Sequence, residues 1–93
     1  MRYSLIRERD GVGDSGLMCE ILDAESYKPI PNETYPRVGC GVRVGSHYGR
    51  TYSAQDWWQT TPITEIIEET VDRDGYRIMK FKTRNSVYVW REL

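Results

Sequence analysis

The last part of the sequence alternates apolar and polar side chains in two runs separated by a short turn. In the first run, positions 76–83, Met79, Phe81 and Thr83 alternate with Ile78, Lys80 and Lys82, and in the second run Ser86, Tyr88 and Trp90 alternate with Val87 and Val89. A period of two is that of a β-strand with one face toward the core. Arg84-Asn85 between the runs is typical of a two-residue turn. This part of the chain is therefore constrained to antiparallel β-structure.

The segment 60–69 before these runs is compatible with two structures. Thr61 as N-cap, Pro62 at the first helical position and isoleucines at helical spacing suit a helix. Threonine and isoleucine, however, are stiff at χ1 and favour a pleated surface. The following Asp72-Arg-Asp-Gly75 has the Asp-Gly signal of a hairpin turn. We favour a strand, which makes the C-terminal part a three-stranded meander.

Another alternating run, Val38–Val44, lies in the middle of the chain. Its valines and Cys40 share one face, whereas Gly39, Gly41 and Arg43 share the other. Glycines on the outward face indicate strong curvature or another chain segment packed closely against it. Apart from Arg43, nothing on this strand would cover that face, so we expect the Arg43 guanidinium to stand over an open surface.

The remaining segments complete an all-β prediction. We expect strands at 2–7 and 17–22, a glycine-rich turn at 10–16, and a proline-containing loop at 23–36. Ser53 and Asp56 fit the start of a helical turn carrying Trp57 and Trp58. The predicted fold is one domain, residues 1–93, forming a small SH3-like β-barrel of five to six antiparallel strands with at most one short helix. Its predicted core consists of Val38, Cys40, Val42, Val44, Ile63, Met79, Phe81 and Trp90.

Charge and hydropathy exclude several classes of protein. A formal net charge of −1 argues against a general polyanion binder, which carries a clear basic excess. No apolar run approaches the ~20 residues that span a bilayer. The first ten residues are charged and lack the apolar core of a signal peptide, so we expect a cytoplasmic protein with no membrane partner. Cys19 and Cys40 are then expected to be reduced thiols in the core, the alternative being one disulfide.

The polar residues do not form a recognisable catalytic or metal-binding pattern. The single histidine, His47, lies in a glycine-flanked turn, and a nucleophile and base need an orienting third group. Cys19, Cys40 and His47 lack the paired spacing of a zinc site. We therefore predict a protein that is not an enzyme and that uses no cofactor and no metal.

Two sets of residues are candidates for binding. The first interleaves arginines with aromatic residues, the types that stack on bases, grip phosphates or anchor protein interfaces: Arg43, Arg50, Tyr48, Tyr52, Trp57 and Trp58. The alternative is that the aromatics fill the core and the arginines solvate its rim. The second set is acidic, and on a partner that handles nucleic acid it would occupy the positions where phosphates otherwise bind: Glu65, Glu68, Glu69, Asp72 and Asp74. Its alternative is a charged edge strand that resists aggregation.

The C-terminal half also resembles a group of known proteins. The segments Trp57-Trp-Gln-Thr-Thr-Pro-Ile-Thr-Glu-Ile-Ile-Glu-Glu69 and Met79-Lys-Phe-Lys-Thr-Arg-Asn-Ser-Val-Tyr-Val-Trp90 are similar to small accessory proteins encoded by bacteriophages and prophages. The resemblance covers about the last 45 residues and has no assigned activity attached to it. It implies a viral accessory protein built on a small barrel.

From these observations we predict non-catalytic binding. The predicted partner is a host or defence protein in the cytoplasm of an infected bacterium, with inhibition of CRISPR or another immune system as the most specific form. The alternative is a nucleic-acid-binding or nucleotide-binding barrel that uses the arginine and aromatic set. A structural component of the virion or of its assembly is a second alternative.

Overall fold

The computed structural model describes residues 1–46 and 57–93, and in these ranges the regular structure consists of eight β-strands without a helix. The strands are β1 (Tyr3–Arg7), β2 (Gly13–Gly16), β3 (Met18–Leu22), β4 (Gly41–Gly45), β5 (Trp57–Gln59), β6 (Ile63–Val71), β7 (Arg77–Thr83) and β8 (Val87–Glu92). All pair antiparallel, in a five-stranded sheet of order β2-β1-β8-β7-β6 and a three-stranded sheet of order β3-β4-β5. The prediction of an all-β fold is confirmed. The described residues form eight strands where the sequence predicted five to six, and the backbone hydrogen bonds group these strands in two sheets.

The C-terminal meander is the part that the sequence predicted most fully. The segment 60–69 is a strand, because β6 runs from Ile63 to Val71 and pairs along its length with β7. The Asp72 N–H donates to the Tyr76 carbonyl at 2.9 Å, and Gly75 has a φ of 88°, as the predicted turn requires. At the second turn the Thr83 N–H donates to the Ser86 carbonyl at 2.8 Å.

Three predictions about local structure are wrong. The glycine-rich segment predicted as a turn includes β2, because Gly13–Gly16 pairs with β1. Trp57 and Trp58 lie in the strand β5. The sequence had predicted that they lie on a helical turn. The central strand begins at Gly41 and not at Val38, because Gly39 has a φ of 91°, which ends the extended backbone.

The core lies between the inward faces of the two sheets. Seven of the eight predicted core residues are buried there: Cys40, Val42, Val44, Ile63, Met79, Phe81 and Trp90. Val38 is the exception, with 57% exposure, because it lies in the turn before β4. Tyr3, Leu5, Cys19, Ile21 and Tyr88 complete the cluster, which is rich in aromatic rings. Cys19 and Cys40 are free thiols, and burial raises the pKa of Cys19 to about 12.

Two glycines allow backbone and side chains to pass unusually close. A Cβ on Gly16 of β2 would overlap the carbonyl group of Gly45 of β4, so the two sheets meet backbone to backbone here. On β4, a Cβ on Gly41 would overlap the Tyr27 hydroxyl, which donates to the Thr60 carbonyl. The expectation that another segment lies against the outward glycine of this strand is confirmed at Gly41.

Candidate binding surface

Arg43 lies on the outward face of the three-stranded sheet, between the two strands that flank β4. Its Nη1 donates to Glu20 Oε1 of β3 at 3.1 Å, and its Nε and Nη2 donate to Gln59 Oε1 of β5 at 2.9 and 2.8 Å. Glu20 and Gln59 are the residues paired with Arg43 in the two ladders, so the strand register itself brings them within reach. The expectation that this guanidinium stands uncovered is wrong, because residues on the neighbouring strands hold it.

Trp57 completes this group from the same face of the sheet. Its ring centroid is 5.0 Å from the Arg43 guanidinium carbon, a cation–π distance. Trp57 is paired with Gly45, which lies on the same face of β4 as Arg43. Both Arg43 and Trp57 are half-buried. We call Glu20, Arg43, Trp57 and Gln59 the Arg43 surface.

Trp58 lies on the opposite face of β5 and belongs to the core. It is paired with Val44, packs against the buried cluster and donates from Nε1 to the Tyr88 hydroxyl at 3.4 Å. Arg7 of β1 lies over its ring, with the guanidinium carbon 5.0 Å from the centroid. The first candidate set is therefore divided, since adjacent residues of a strand face opposite sides.

The other members of that set, Tyr48, Arg50 and Tyr52, lie outside the described residues, as does His47. Glu20 and Gln59 are the functional neighbours that sequence reasoning missed. Their register with Arg43 depends on strand pairing between segments far apart in the chain. The alternation of 38–44 showed which way Arg43 points but not what lies beside it.

The Arg43 surface presents directed donors without a large net charge. A guanidinium has five N–H donors, and three of those on Arg43 are used by Glu20 and Gln59. The Glu20 carboxylate offsets the positive charge at 3.1 Å. A phosphate would have to compete with this carboxylate. A polar group of a protein can instead accept from the Arg43 N–H groups that bond to nothing in residues 1–46 and 57–93, while its apolar part contacts Trp57.

The acidic candidates are spread along β6 and the following turn and play separate local roles. Glu65 and Glu68 are paired with Lys82 and Lys80 of β7. Glu69 accepts a hydrogen bond from the Tyr35 hydroxyl at 3.1 Å. Asp72 caps the hairpin, accepting at Oδ1 from the N–H groups of Asp74 and Tyr76. Within residues 1–46 and 57–93, no three His, Cys, Asp or Glu side chains are grouped so as to hold a metal ion.

A groove that the sequence did not predict lies beside the Arg43 surface. Its volume is about 340 Å³, and Glu20 belongs to both. Its walls come from β3 and the proline-containing loop, which the Cys19 thiol ties together by donating to the Thr34 carbonyl at 3.1 Å. The main lining residues are Tyr3, Leu17, Met18, Cys19, Ile30 and Pro31. The prolines at 29 and 31 indicated a loop, but its position against β3 follows from tertiary packing.

An ion pair between the exposed Arg77 of β7 and the buried Glu92 carboxylate of β8 lies in the five-stranded sheet. Arg77 makes a forked contact with Glu92, with Nε to both carboxylate oxygens at 3.1 Å and Nη2 to Oε2 at 2.8 Å, and its backbone N–H donates to Oε1 at 2.8 Å. The guanidinium also stacks on Tyr35, 4.3 Å from the ring centroid. The hydrogen bond from Arg77 lowers the pKa of Glu92 below its ordinary 4.5, against the opposing effect of burial.

Glu92→Gln should therefore lower the free energy of unfolding by about 1.5 kcal/mol at neutral pH, as for a hydrogen bond to a charged group. Because the folded state binds the Glu92 proton more weakly than the unfolded state, this stabilisation is complete above the unfolded pKa and is lost as pH falls through the folded one. Urea unfolding of both proteins from pH 7 to pH 3 measures it. The difference between them should shrink below about 4.5, and a constant difference would contradict the assignment.

Residues 1–46 and 57–93 include no apolar helix of membrane-spanning length. Comparisons of the chain with protein-family models, with curated proteins and with solved structures found no match.

Proposed function

We propose that this chain is a non-catalytic binding protein that contacts a protein partner through the Arg43 surface. The observation that carries the proposal is the fixed Arg43 guanidinium, held from both flanking strands and stacked on the half-buried Trp57. Arginine and tryptophan are the types most enriched at binding hot spots. Side chains already held in one conformation lose little further freedom when a partner docks, which favours affinity.

The same surface favours a protein partner over a nucleic acid. Phosphate backbones are bound by groups of uncompensated Lys and Arg side chains. Here the Glu20 carboxylate lies 3.1 Å from the Arg43 guanidinium, and the chain as a whole has a net charge of −1. A nucleic-acid-binding or nucleotide-binding role remains the alternative that the binding experiment below distinguishes.

We also propose that the two sheets act together as a small SH3-like barrel. Only Leu17 separates β2 from β3, and only residues 60–62 separate β5 from β6. The Ile63 N–H of the larger sheet donates to the Cys40 carbonyl, immediately before β4, at 2.9 Å. These connections support a barrel in which β2 and β3 form one bent strand and β5 and β6 form another. Each bent strand contributes to both sheets.

The resemblance of segments 57–69 and 79–90 to phage and prophage accessory proteins supports a role during infection. In that setting the partner is a host or defence protein, and binding inhibits or modulates it. Inhibition of a CRISPR or related immune system is the form of this proposal that can be tested directly.

The test is phage plating on bacteria that carry an active immune system and express the chain. We expect the wild-type chain to restore plating and to co-purify with one immune complex. Trp57→Ala should weaken binding to that purified complex by more than ~1 kcal/mol. Arg43→Lys should also weaken it, because a lysine keeps the charge but loses the fork that Glu20 and Gln59 orient.

The matched controls are Tyr76→Ala and Arg84→Ala, which remove an exposed aromatic residue and an exposed arginine elsewhere on the molecule. Full activity of Trp57→Ala and Arg43→Lys would refute the role of the Arg43 surface. Binding of free oligonucleotides with an affinity that falls steeply with salt would support the nucleic-acid alternative instead.

A further inference from the structure

The strand β6 forms one edge of the five-stranded sheet. The opposite edge, β2, meets β4 where Gly16 lies against Gly45, and it is thereby covered. On β6 the first residue is covered on its outer side, since the Ile63 carbonyl accepts the Gly39 N–H at 2.8 Å and the Ile63 N–H donates to the Cys40 carbonyl. In the described part of the chain, no further strand pairs with β6 on that side.

The backbone groups that point away from the sheet can be assigned from the hairpin. The Asp72 N–H donates to Tyr76 of the β7 side, and in an antiparallel ladder alternate residues bond to the same neighbour. Thr70 therefore faces β7, whereas the N–H and C=O groups of Glu69 and Val71 point outward. Arg77, the residue paired with Val71, gives an independent check, because its N–H donates to Glu92 on the β8 side.

The part of this edge that can accept another strand is short and regular. Two register shifts interrupt the pairing between Ile63 and Glu68, whereas Glu68–Val71 pairs with β7 without interruption. All four residues of this run are exposed, Val71 to 63%. A regular run of exposed outward backbone groups is the structure to which an added strand bonds.

Charge decides which strand fits. Pairing β6 with β6 of a second copy would bring the glutamates of both copies together along one shared edge, and like charges on neighbouring strands destabilise a sheet. Lys80, the residue paired with Glu68, forms its ion pair with Glu8, at 2.7 Å. Asp74 adds a further carboxylate at the turn. An incoming strand with cationic side chains meets complementary charge along this edge.

We propose that the edge Glu68–Val71 binds an extended segment of a protein partner that carries Lys or Arg at alternate positions, by adding a strand antiparallel or parallel to β6. The backbone groups of Glu69 and Val71 supply the hydrogen bonds, and the acidic side chains of β6 and the turn select the cationic segment. This site is separate from the Arg43 surface and does not depend on the function proposed there.

The probe is an end-capped heptapeptide that alternates lysine and valine, titrated into the full chain and followed by amide NMR. Shifts are expected at Glu68–Val71, with slowed hydrogen exchange at the Glu69 and Val71 amides. Val71→Pro removes one outward N–H without removing a bond to β7, and should weaken binding about tenfold. Val71→Ala keeps that N–H and is the matched control, expected to bind within about threefold of wild type.

A second variant tests the selection by charge. The double variant Glu68→Gln, Glu69→Gln keeps the shape of both side chains and should also weaken binding about tenfold. If circular dichroism shows that Val71→Pro does not fold, the double variant alone tests the proposal. Equal binding of a glutamate–valine heptapeptide, shifts centred on the Arg43 surface, or unchanged affinity of the folded variants would each overturn the proposal. Self-association through β6, detected by sedimentation without peptide, would overturn the choice of partner.

Discussion

Phe81→Ala should lower the free energy of unfolding by ~3–5 kcal/mol, the range for removing a buried phenylalanine ring. Phe81 is 0% exposed and lies in the middle of β7, paired with Ile66 of β6 and Tyr88 of β8. Its ring stacks on Tyr88 at 5.7 Å between centroids, so the variant loses an aromatic contact and leaves a cavity. A domain of this size has only about 5–10 kcal/mol in total, so a large share of its stability is lost.

Urea unfolding followed by circular dichroism measures this effect, with Phe81→Leu as the control. Leucine keeps most of the volume and should cost less than about 1.5 kcal/mol. An unchanged transition midpoint for Phe81→Ala would mean that the register of the five-stranded sheet is wrong.

Gly16→Ala should lower the free energy of unfolding by about 3 kcal/mol, the upper part of the range for overpacking. An added Cβ overlaps the Gly45 carbonyl group, and backbone atoms cannot move aside as the end of a flexible side chain can. The two sheets would have to separate where β2 meets β4. Alanine also restricts the unfolded chain, which on its own would stabilise the protein by about 0.4–1 kcal/mol. The predicted sign is therefore opposite to that of an unhindered glycine replacement.

The matched control is Ser15→Ala, on the adjacent and exposed position of the same strand. It should change the free energy of unfolding by no more than about 0.5 kcal/mol. If Gly16→Ala proves neutral or stabilising, the two backbones are not in contact at Gly45.

The meander was predictable because its information is local. The alternation of Met79, Phe81 and Thr83 shows directly which residues are buried, and the Asp-Gly signal ends at Gly75, where the turn occurs. Val38 fits the same alternating pattern as Cys40 and yet is exposed. A positive φ at Gly39 separates them, and a period of two does not reveal which glycine adopts it.

The candidate site was predictable only as residue types. Arg43 and Trp57 were identified, but their contact requires β4 and β5 to pair with Gly45 opposite Trp57, a relation between distant segments. Trp58 was assigned to the binding surface on the assumption of a helical turn, whereas the alternation of β5 places it on the opposite face from Trp57. The sequence did not predict the strand β2, because two of its four residues are glycines. Its pairing with β1 depends on backbone hydrogen bonds and not on a pattern of side chains.

The hydrogen bonds of Arg43 have a consequence for how this sequence can diverge. One guanidinium contacts a side chain from each flanking strand, so positions 20, 43 and 59 form a single polar unit across the small sheet. A substitution at one of these positions leaves a donor or acceptor at another position without its hydrogen bond. The free-energy cost of the substitution therefore depends on which residues occupy the other two positions. Among related sequences these three positions should consequently covary although they lie far apart along the chain. Pairs such as Glu20 with Arg43 should be exchanged together, and Gln59 should be replaced chiefly where Arg43 is also replaced.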